Sequence, residues 1–175
     1  MNDKIQWRSE LKTRLAAISP KKREEGASKL LSLPLSSTGD ILSFASFRDE
    51  IDTRRLNHYL ARTNRLLLPK IDGEELKIFR VNHLEEQLKP NKWGLYEPSS
   101  TLCEEINYSR IQTVLVPALG FDTKNHRLGY GKGYYDRFLA QITFCPTIGI
   151  GFKEQLVDSL PVEETDVALT AVALF

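Results

Sequence analysis

The chain reads as an α/β protein, a three-layer sandwich with a mostly parallel sheet covered by helices on both faces. Three observations predict it. Short apolar, β-branched runs recur along the chain and end at turn residues. Amphipathic helical stretches stand between them. No repeat, linker or low-complexity tract divides the 175 residues, so one domain spanning 1–175 is expected.

In residues 4–18, Leu11, Leu15 and Ile18 recur at helical spacing, which predicts a first helix. Ser19 and Pro20 supply an N-cap and a first-turn proline for a second helix to about Leu31. Asp40 to Phe47 reads as a buried strand. Asp52 and Thr53 can cap a helix through about Arg62, and Leu66 to Leu68 forms a strand before Pro69. Glu74 to Phe79 reads as an edge or hairpin strand. From Asn82 to Tyr108 the pattern is broken by Pro90, Gly94 and Pro98, which predicts a surface excursion with short pieces. Thr113 to Val116 is a strand ended by Pro117. A loop and a glycine-rich turn then lead into a helix from about Lys132 to Gln141. Strands near Thr147–Ile150 and Val167–Leu174 complete the chain. Ligands of such sheets gather beyond the carboxyl ends of the strands. The loops 45–50 and 117–133 are therefore expected to meet at one cleft.

Composition narrows the function. Twenty-four basic residues against 23 acidic leave a net charge of +1, so no overall field favours nucleic acid or an anionic membrane. Any anion site must be local. The first fifteen residues place charges where a secretory signal needs an apolar core, and no apolar run reaches membrane-spanning length. Cys103 and Cys145 lie outside any metal spacing and fit a reduced, cytoplasmic setting. His58, His83 and His126 form no ligand pattern. A monomer with no nucleic-acid or membrane partner is expected.

The most informative segment is Arg127-Leu128-Gly129-Tyr130-Gly131-Lys132-Gly133-Tyr134-Tyr135-Asp136. Alternate glycines let the backbone turn several N–H groups toward one anion, and the following helix start adds a favourable dipole. Arg127 contributes a planar fork and Lys132 a mobile point charge. The segment lacks the Ser or Thr of a Walker A loop and the glycine spacing of a dinucleotide fingerprint. By pattern alone it is either a phosphate grip or a tight strand-to-helix connection. Asp136 and Asp166 can each hold Mg²⁺ or simply serve local structure. Lys4 and Arg8 leave one face of the first helix and form either a solvated stripe or a reach toward a triphosphate. Glu50 is either a substrate-binding carboxylate or a loop charge. Trp93 stacks on a ligand or fills a local core.

Together these segments resemble the 5-formyltetrahydrofolate cyclo-ligase (5,10-methenyltetrahydrofolate synthetase) family. The strongest likeness is Val116-Pro117-Ala118-Leu119-Gly120-Phe121-Asp122 followed by Arg127 to Asp136. Lys4-x-x-x-Arg8, Asp49 to Thr53, Trp93 to Pro98 and Phe152 to Gln155 support it, in family order over almost the whole chain. Two positions depart from the family pattern: Ala118, where glycine is usual, and Thr165, where histidine is usual.

The resemblance implies ATP binding by Lys4, Arg8 and the run Arg127, Leu128, Gly129, Tyr130, Gly131, Lys132, Gly133, Tyr134 and Tyr135. Arg127 and Lys132 are implied as catalytic. It implies folate contacts by Ala45, Glu50 and Trp93, with Tyr130 to Tyr134 shared between nucleotide and substrate. Asp136 and Asp166 match magnesium positions, so Mg²⁺ is the expected cofactor. The implied reaction converts 5-formyltetrahydrofolate and ATP to 5,10-methenyltetrahydrofolate, ADP and phosphate. A formamide oxygen is a poor leaving group, and phosphorylating it permits attack by N10. Two other readings share the architecture: a sugar-phosphate isomerase or another phosphate-binding protein using the turn without ATP, and a nucleotide- or folate-binding regulatory module without turnover. The second should have lost some of Arg127, Lys132 and Asp136, which are all present.

Overall fold

Alternating strands and helices build a central seven-stranded sheet in the computed structural model, which describes residues 3–175. The helices are α1 (Asp3–Ala16), α2 (Pro20–Leu30), α3 (Arg54–Arg62), α4 (Leu84–Gln87) and α5 (Tyr134–Leu139). The strands are β1 (Asp40–Leu42), β2 (Leu66–Asp72), β3 (Glu75–Arg80), β4 (Leu88–Pro90), β5 (Tyr96–Pro98), β6 (Glu104–Glu105), β7 (Ile111–Val116), β8 (Gly120–Asp122), β9 (Arg127–Leu128), β10 (Thr147–Gly151), β11 (Leu156–Val157) and β12 (Ala171–Leu174). The main sheet runs β12-β10-β7-β1-β2-β3-β6. Its first five strands pair in parallel, while β3 and β6 add antiparallel neighbours at one side.

Pleating sends alternate residues of the parallel strands to opposite faces. Ile41, Leu66, Leu68 and Leu115 pack under Leu11, Leu15, Leu30, Leu56 and Leu60 of α1, α2 and α3. Leu42, Leu67, Val114 and Val116 pack against Phe138 and Leu139 of α5. That division is the three-layer arrangement expected from the apolar runs. The strand order reverses between β1 and β7, so the chain segments leaving those two strands diverge and open a crevice.

Several boundaries differ from the sequence reading, each for a local reason. The first helix stops at Ala16, because Ser19 precedes Pro20 and is held extended at ψ 151 while its hydroxyl caps α2. The strand expected over 40–47 ends at Leu42, and the Ser43 amide makes a last bond to the Leu67 carbonyl at 2.9 Å. Beyond it, the Phe44 carbonyl accepts hydrogen bonds from the Thr53 hydroxyl at 2.7 Å and the Asn57 amide at 2.9 Å. Thr53 is thus spent on the loop, and Asp52 accepts from the Arg54 amide at the start of α3. Pro69 does not end β2. Opposite it, β1 has already stopped at Leu42, paired with Leu67, so no neighbour requires an N–H from position 69. The excursion contains α4, the β4–β5 hairpin and β6.

The helix expected from Lys132 to Gln141 spans only Tyr134–Leu139, because Gly133 sits in the left-handed region at φ 71. The last strand begins at Ala171 rather than Val167. A small second sheet, β11-β8-β9, occupies what reads in sequence as loop. Its β8–β9 hairpin turns on Asp122, whose carboxylate accepts from the amides of Lys124, His126 and Leu160. Both cysteines are free thiols. No helix among the described residues is long and apolar enough to cross a membrane.

Candidate active site

A cleft of about 940 Å³ opens beyond the carboxyl ends of β1, β2 and β7. Every residue that the sequence offered as a candidate for binding nucleotide, folate or metal lines it. Lys4 and Arg8 enter from α1, Ala45 and Glu50 from the loop after β1, and Trp93 from the β4–β5 hairpin. Arg127 to Asp136 and Asp166 complete the charged lining. Pro69, Ile71 and Leu76 contribute an apolar wall.

The loop carrying Glu50 is wired from within. Ser46 donates to the Ile51 carbonyl at 2.7 Å and accepts from the Thr53 amide at 2.8 Å. Glu50 Oε2 accepts from the Phe47 amide at 2.9 Å. Part of Glu50 remains open to the cleft, but protein crowds the carboxyl itself. Burial raises its pKa from 4.5 to about 7, against the lowering effects of the Phe47 amide and the Tyr130 hydroxyl. A carboxylate in that state, facing an apolar wall, is suited to accept hydrogen bonds from a planar heterocycle.

The glycine turn is held in place by Arg8. Its Nε donates to the Gly129 carbonyl at 3.0 Å, and its guanidinium lies where a Cβ on Gly131 would come within 3.1 Å. Gly131 and Gly133 are left-handed, at φ 97 and 71. Gly129 is not, and a Cβ there would meet only open space, so its conformational freedom is not what the turn uses. Lys132 is exposed, and no ion pair among the described residues engages it.

Two cation–carboxylate pairs flank the turn. Arg127 is almost fully buried; it donates to Asp136 Oδ1 at 2.9 Å and to the Val167 carbonyl at 3.2 Å. Lys4, also buried, donates to Asp166 Oδ2 at 2.7 Å and lies 3.3 Å from Glu163. Burial raises the Asp166 pKa, but the bonds from Lys4 and the Glu163 amide and the nearby charges of Lys4 and Arg127 outweigh it and hold the carboxyl below its usual range. Each aspartate thus anchors a cation that lines the cleft.

Tyr135 adds a feature that no sequence pattern discloses. The residue lines the cleft, and its hydroxyl is buried with no hydrogen-bond partner among the described residues. Burial, then the negative charge of Glu50, pushes its pKa upward, so it stays a protonated donor. Arg48, two residues before Glu50, also lines the cleft and was indistinguishable in sequence from an ordinary loop charge. Trp93 is 54% exposed, with the Lys92 ammonium 4.5 Å from its ring. An aromatic so open is free to present a face to a ligand.

The chain matches the model of the "5-formyltetrahydrofolate cyclo-ligase family" over residues 1–174. A 5-formyltetrahydrofolate cyclo-ligase of Escherichia coli is 30% identical over 172 residues, covering 93% of this chain and 94% of that protein. One of Mus musculus is 27% identical over 182 residues, covering 94% and 90%. Among solved structures, the 5,10-methenyltetrahydrofolate synthetase of Aquifex aeolicus superposes with a TM-score of 0.82 at 28% identity, covering 97% of this chain and 88% of that one. The Mycoplasma pneumoniae synthetase gives 0.72 at 25% identity, with 97% of each chain covered.

Proposed function

The chain belongs to the 5-formyltetrahydrofolate cyclo-ligase family, and on that premise we propose that it closes the ring of 5-formyltetrahydrofolate by first phosphorylating the formyl oxygen with ATP. The observation that carries this reading is the joining of two unlike regions in one cleft. An apolar wall with Glu50 suits a pterin, and a turn flanked by Arg8, Arg127 and Lys132 suits a triphosphate.

The pterin lies against Pro69 and Ile71, with its N–H groups donating to Glu50. The triphosphate lies along Gly129 to Gly133, whose amides and flanking cations neutralise its charge. In the first step the γ-phosphorus bond to ADP breaks as the formyl oxygen bonds to phosphorus. The formyl carbon becomes an activated imidate. In the second step the N10 lone pair attacks that carbon, the carbon–oxygen bond breaks, and phosphate leaves with both bonding electrons. Loss of the N10 proton gives the delocalised methenyl cation. Alignment and charge neutralisation are the protein's chief contributions to such a transfer. Arg127 and Lys132 are the groups assigned to the moving phosphoryl. Tyr135 OH, already desolvated and unpartnered, is assigned as a donor to an oxygen of the bound reactants.

Mg²⁺ fits this site as an ion carried by the nucleotide. No cluster of three or more His, Cys, Asp or Glu side chains is poised for a metal among the described residues. Mg²⁺ bound to phosphates needs only one or two protein carboxylates. Asp136 and Asp166 each engage a cation through one oxygen, and the other oxygen can serve the ion. When bound, the ion would screen the negative charge of the transferring phosphate.

The test mixes the protein with 5-formyltetrahydrofolate and MgATP and follows methenyl absorbance and ADP release together. The reading expects equal amounts of both products, each abolished by omission of either substrate. ADP release that does not require folate contradicts it.

A further inference from the structure

A second pocket of about 360 Å³ adjoins the cleft and shares two residues with it, Arg48 and Tyr130. Its floor is Leu15, Ala16 and Leu119, and it carries two cations, Lys12 and Arg48. The Lys12 ammonium stands 5.9 Å from the centre of the Tyr130 ring, and the Arg48 guanidinium 4.9 Å from that of Phe47. Neither cation takes part in an ion pair among the described residues. Asp49 also lines the pocket, but its carboxylate is engaged by Arg23 at 3.0 Å. In a chain with a net charge of only +1, two neighbouring cations without carboxylates are a local feature rather than part of a general field.

The backbone points the same way. Arg48 holds φ 55, the left-handed region that disfavours side chains other than glycine, and such strain persists where surrounding structure enforces it. Arg48 stands two residues from Glu50 and stacks on Phe47, whose amide bonds to Glu50. The element that would hold the pterin thus also projects a free guanidinium toward the second pocket.

We propose that this second pocket is the subsite for the anionic glutamyl tail of the folate, with Lys12 and Arg48 receiving its carboxylates and Tyr130 lying beside the p-aminobenzoyl ring. The inference rests on the cyclo-ligase reading given above. A folate presents a flat heterocycle, an aromatic ring and then carboxylates, and the residues run in that order: Glu50, Tyr130, then Lys12 and Arg48. The cations paired with Asp136 and Asp166 lie in the cleft but not in this pocket. Two unpaired cations over an apolar floor suit well-separated carboxylates better than a compact triphosphate. Extra γ-linked glutamates would lengthen the tail and strengthen the contact.

The test compares three substrates: 5-formyltetrahydropteroate, which lacks the tail, 5-formyltetrahydrofolate, and its triglutamate. The proteins are the wild type, Lys12→Gln, Arg48→Gly and the double variant. Glycine suits φ 55, so Arg48→Gly removes the charge without straining the loop. The readout is the ratio of kcat/KM for triglutamate to that for the tail-less compound, together with KM for ATP. Each single variant is expected to lower the ratio about fivefold, the size of one solvent-facing ion pair, and the double variant about twentyfold. Lys12→Arg is expected to retain the wild-type ratio. A ratio unchanged by all variants overturns the subsite, as does a loss seen only as a raised KM for ATP. Wild-type protein that turns over none of the three overturns the cyclo-ligase reading and this inference with it.

Discussion

Glu50 makes the role of burial in substrate binding measurable. Its carboxyl titrates near pH 7 rather than 4.5, chiefly because protein crowds it away from water. If it accepts hydrogen bonds from pterin N–H groups, the ionised form binds and the protonated form does not. Apparent affinity then scales with the ionised fraction, so Kd for 5-formyltetrahydrofolate should rise about tenfold between pH 8 and pH 6. At pH 8, Glu50→Gln removes a charge-assisted acceptor worth about 2 kcal/mol, which weakens folate binding about thirtyfold. The variant's affinity should be almost flat across that pH range, and ATP affinity should change less than twofold. Calorimetric titration of each ligand at pH 6, 7 and 8 provides the values. The same burial has a stability signature. A carboxyl whose folded pKa is raised contributes stability that is fully present below about pH 4.5 and lost as pH rises through about 7. The ligand-free Glu50→Gln variant should therefore gain thermal stability over the wild type as pH increases, by about 3 kcal/mol at most. A wild-type folate affinity independent of pH, or equal losses of folate and ATP binding in the variant, would refute the reasoning.

Three other perturbations test neighbouring groups. Arg127→Ala should lower turnover at least about a hundredfold, the usual scale for losing one electrostatic contact to a transition state. It should also lower the melting temperature, because Asp136 and the Val167 carbonyl lose a buried donor; activity near the wild-type level would exclude the assigned role. Tyr135→Phe removes a buried hydroxyl that has no partner, so it should leave the melting temperature unchanged or raise it while lowering kcat/KM about tenfold. Unimpaired kinetics would show that the hydroxyl meets no reactant. Asp136→Asn should raise the Mg²⁺ concentration needed for half-maximal turnover several-fold at saturating ATP, whereas an unchanged Mg²⁺ requirement would remove the residue from the ion's site.

The sequence disclosed the layers of the fold because each apolar run has a period that selects one element, and the structure places those runs as five parallel strands under helices. The cleft was legible for a similar reason: the loops after β1 and β7 leave the sheet at its reversal point, so Glu50 and the glycine turn line the crevice that opens between them. Boundaries were less legible where side chains compete with ladder bonds. Thr53 and Asn57 capture the Phe44 carbonyl and end a strand that composition alone would extend. Gly133 shortens a helix through a dihedral angle that no spacing reveals. The small second sheet was missed because β9 and β11 are only two residues long and carry no periodicity. Within the site, the cations could be identified from sequence but their partners could not. That Arg127 and Lys4 are clamped by Asp136 and Asp166, while Lys132 has no ion-pair partner among the described residues, emerges only from tertiary packing. The unpartnered Tyr135 hydroxyl is likewise a property of the packed cleft rather than of its motif.

Oxygen tracing tests the central chemical claim most directly. The substrate is prepared with ¹⁸O in the formyl group, one turnover is run with MgATP in ordinary water, and the released phosphate is analysed by mass spectrometry. Phosphoryl transfer onto the formyl oxygen predicts that each phosphate released with methenyl product carries one ¹⁸O atom. Unlabelled phosphate, with the heavy oxygen recovered in water, would contradict it.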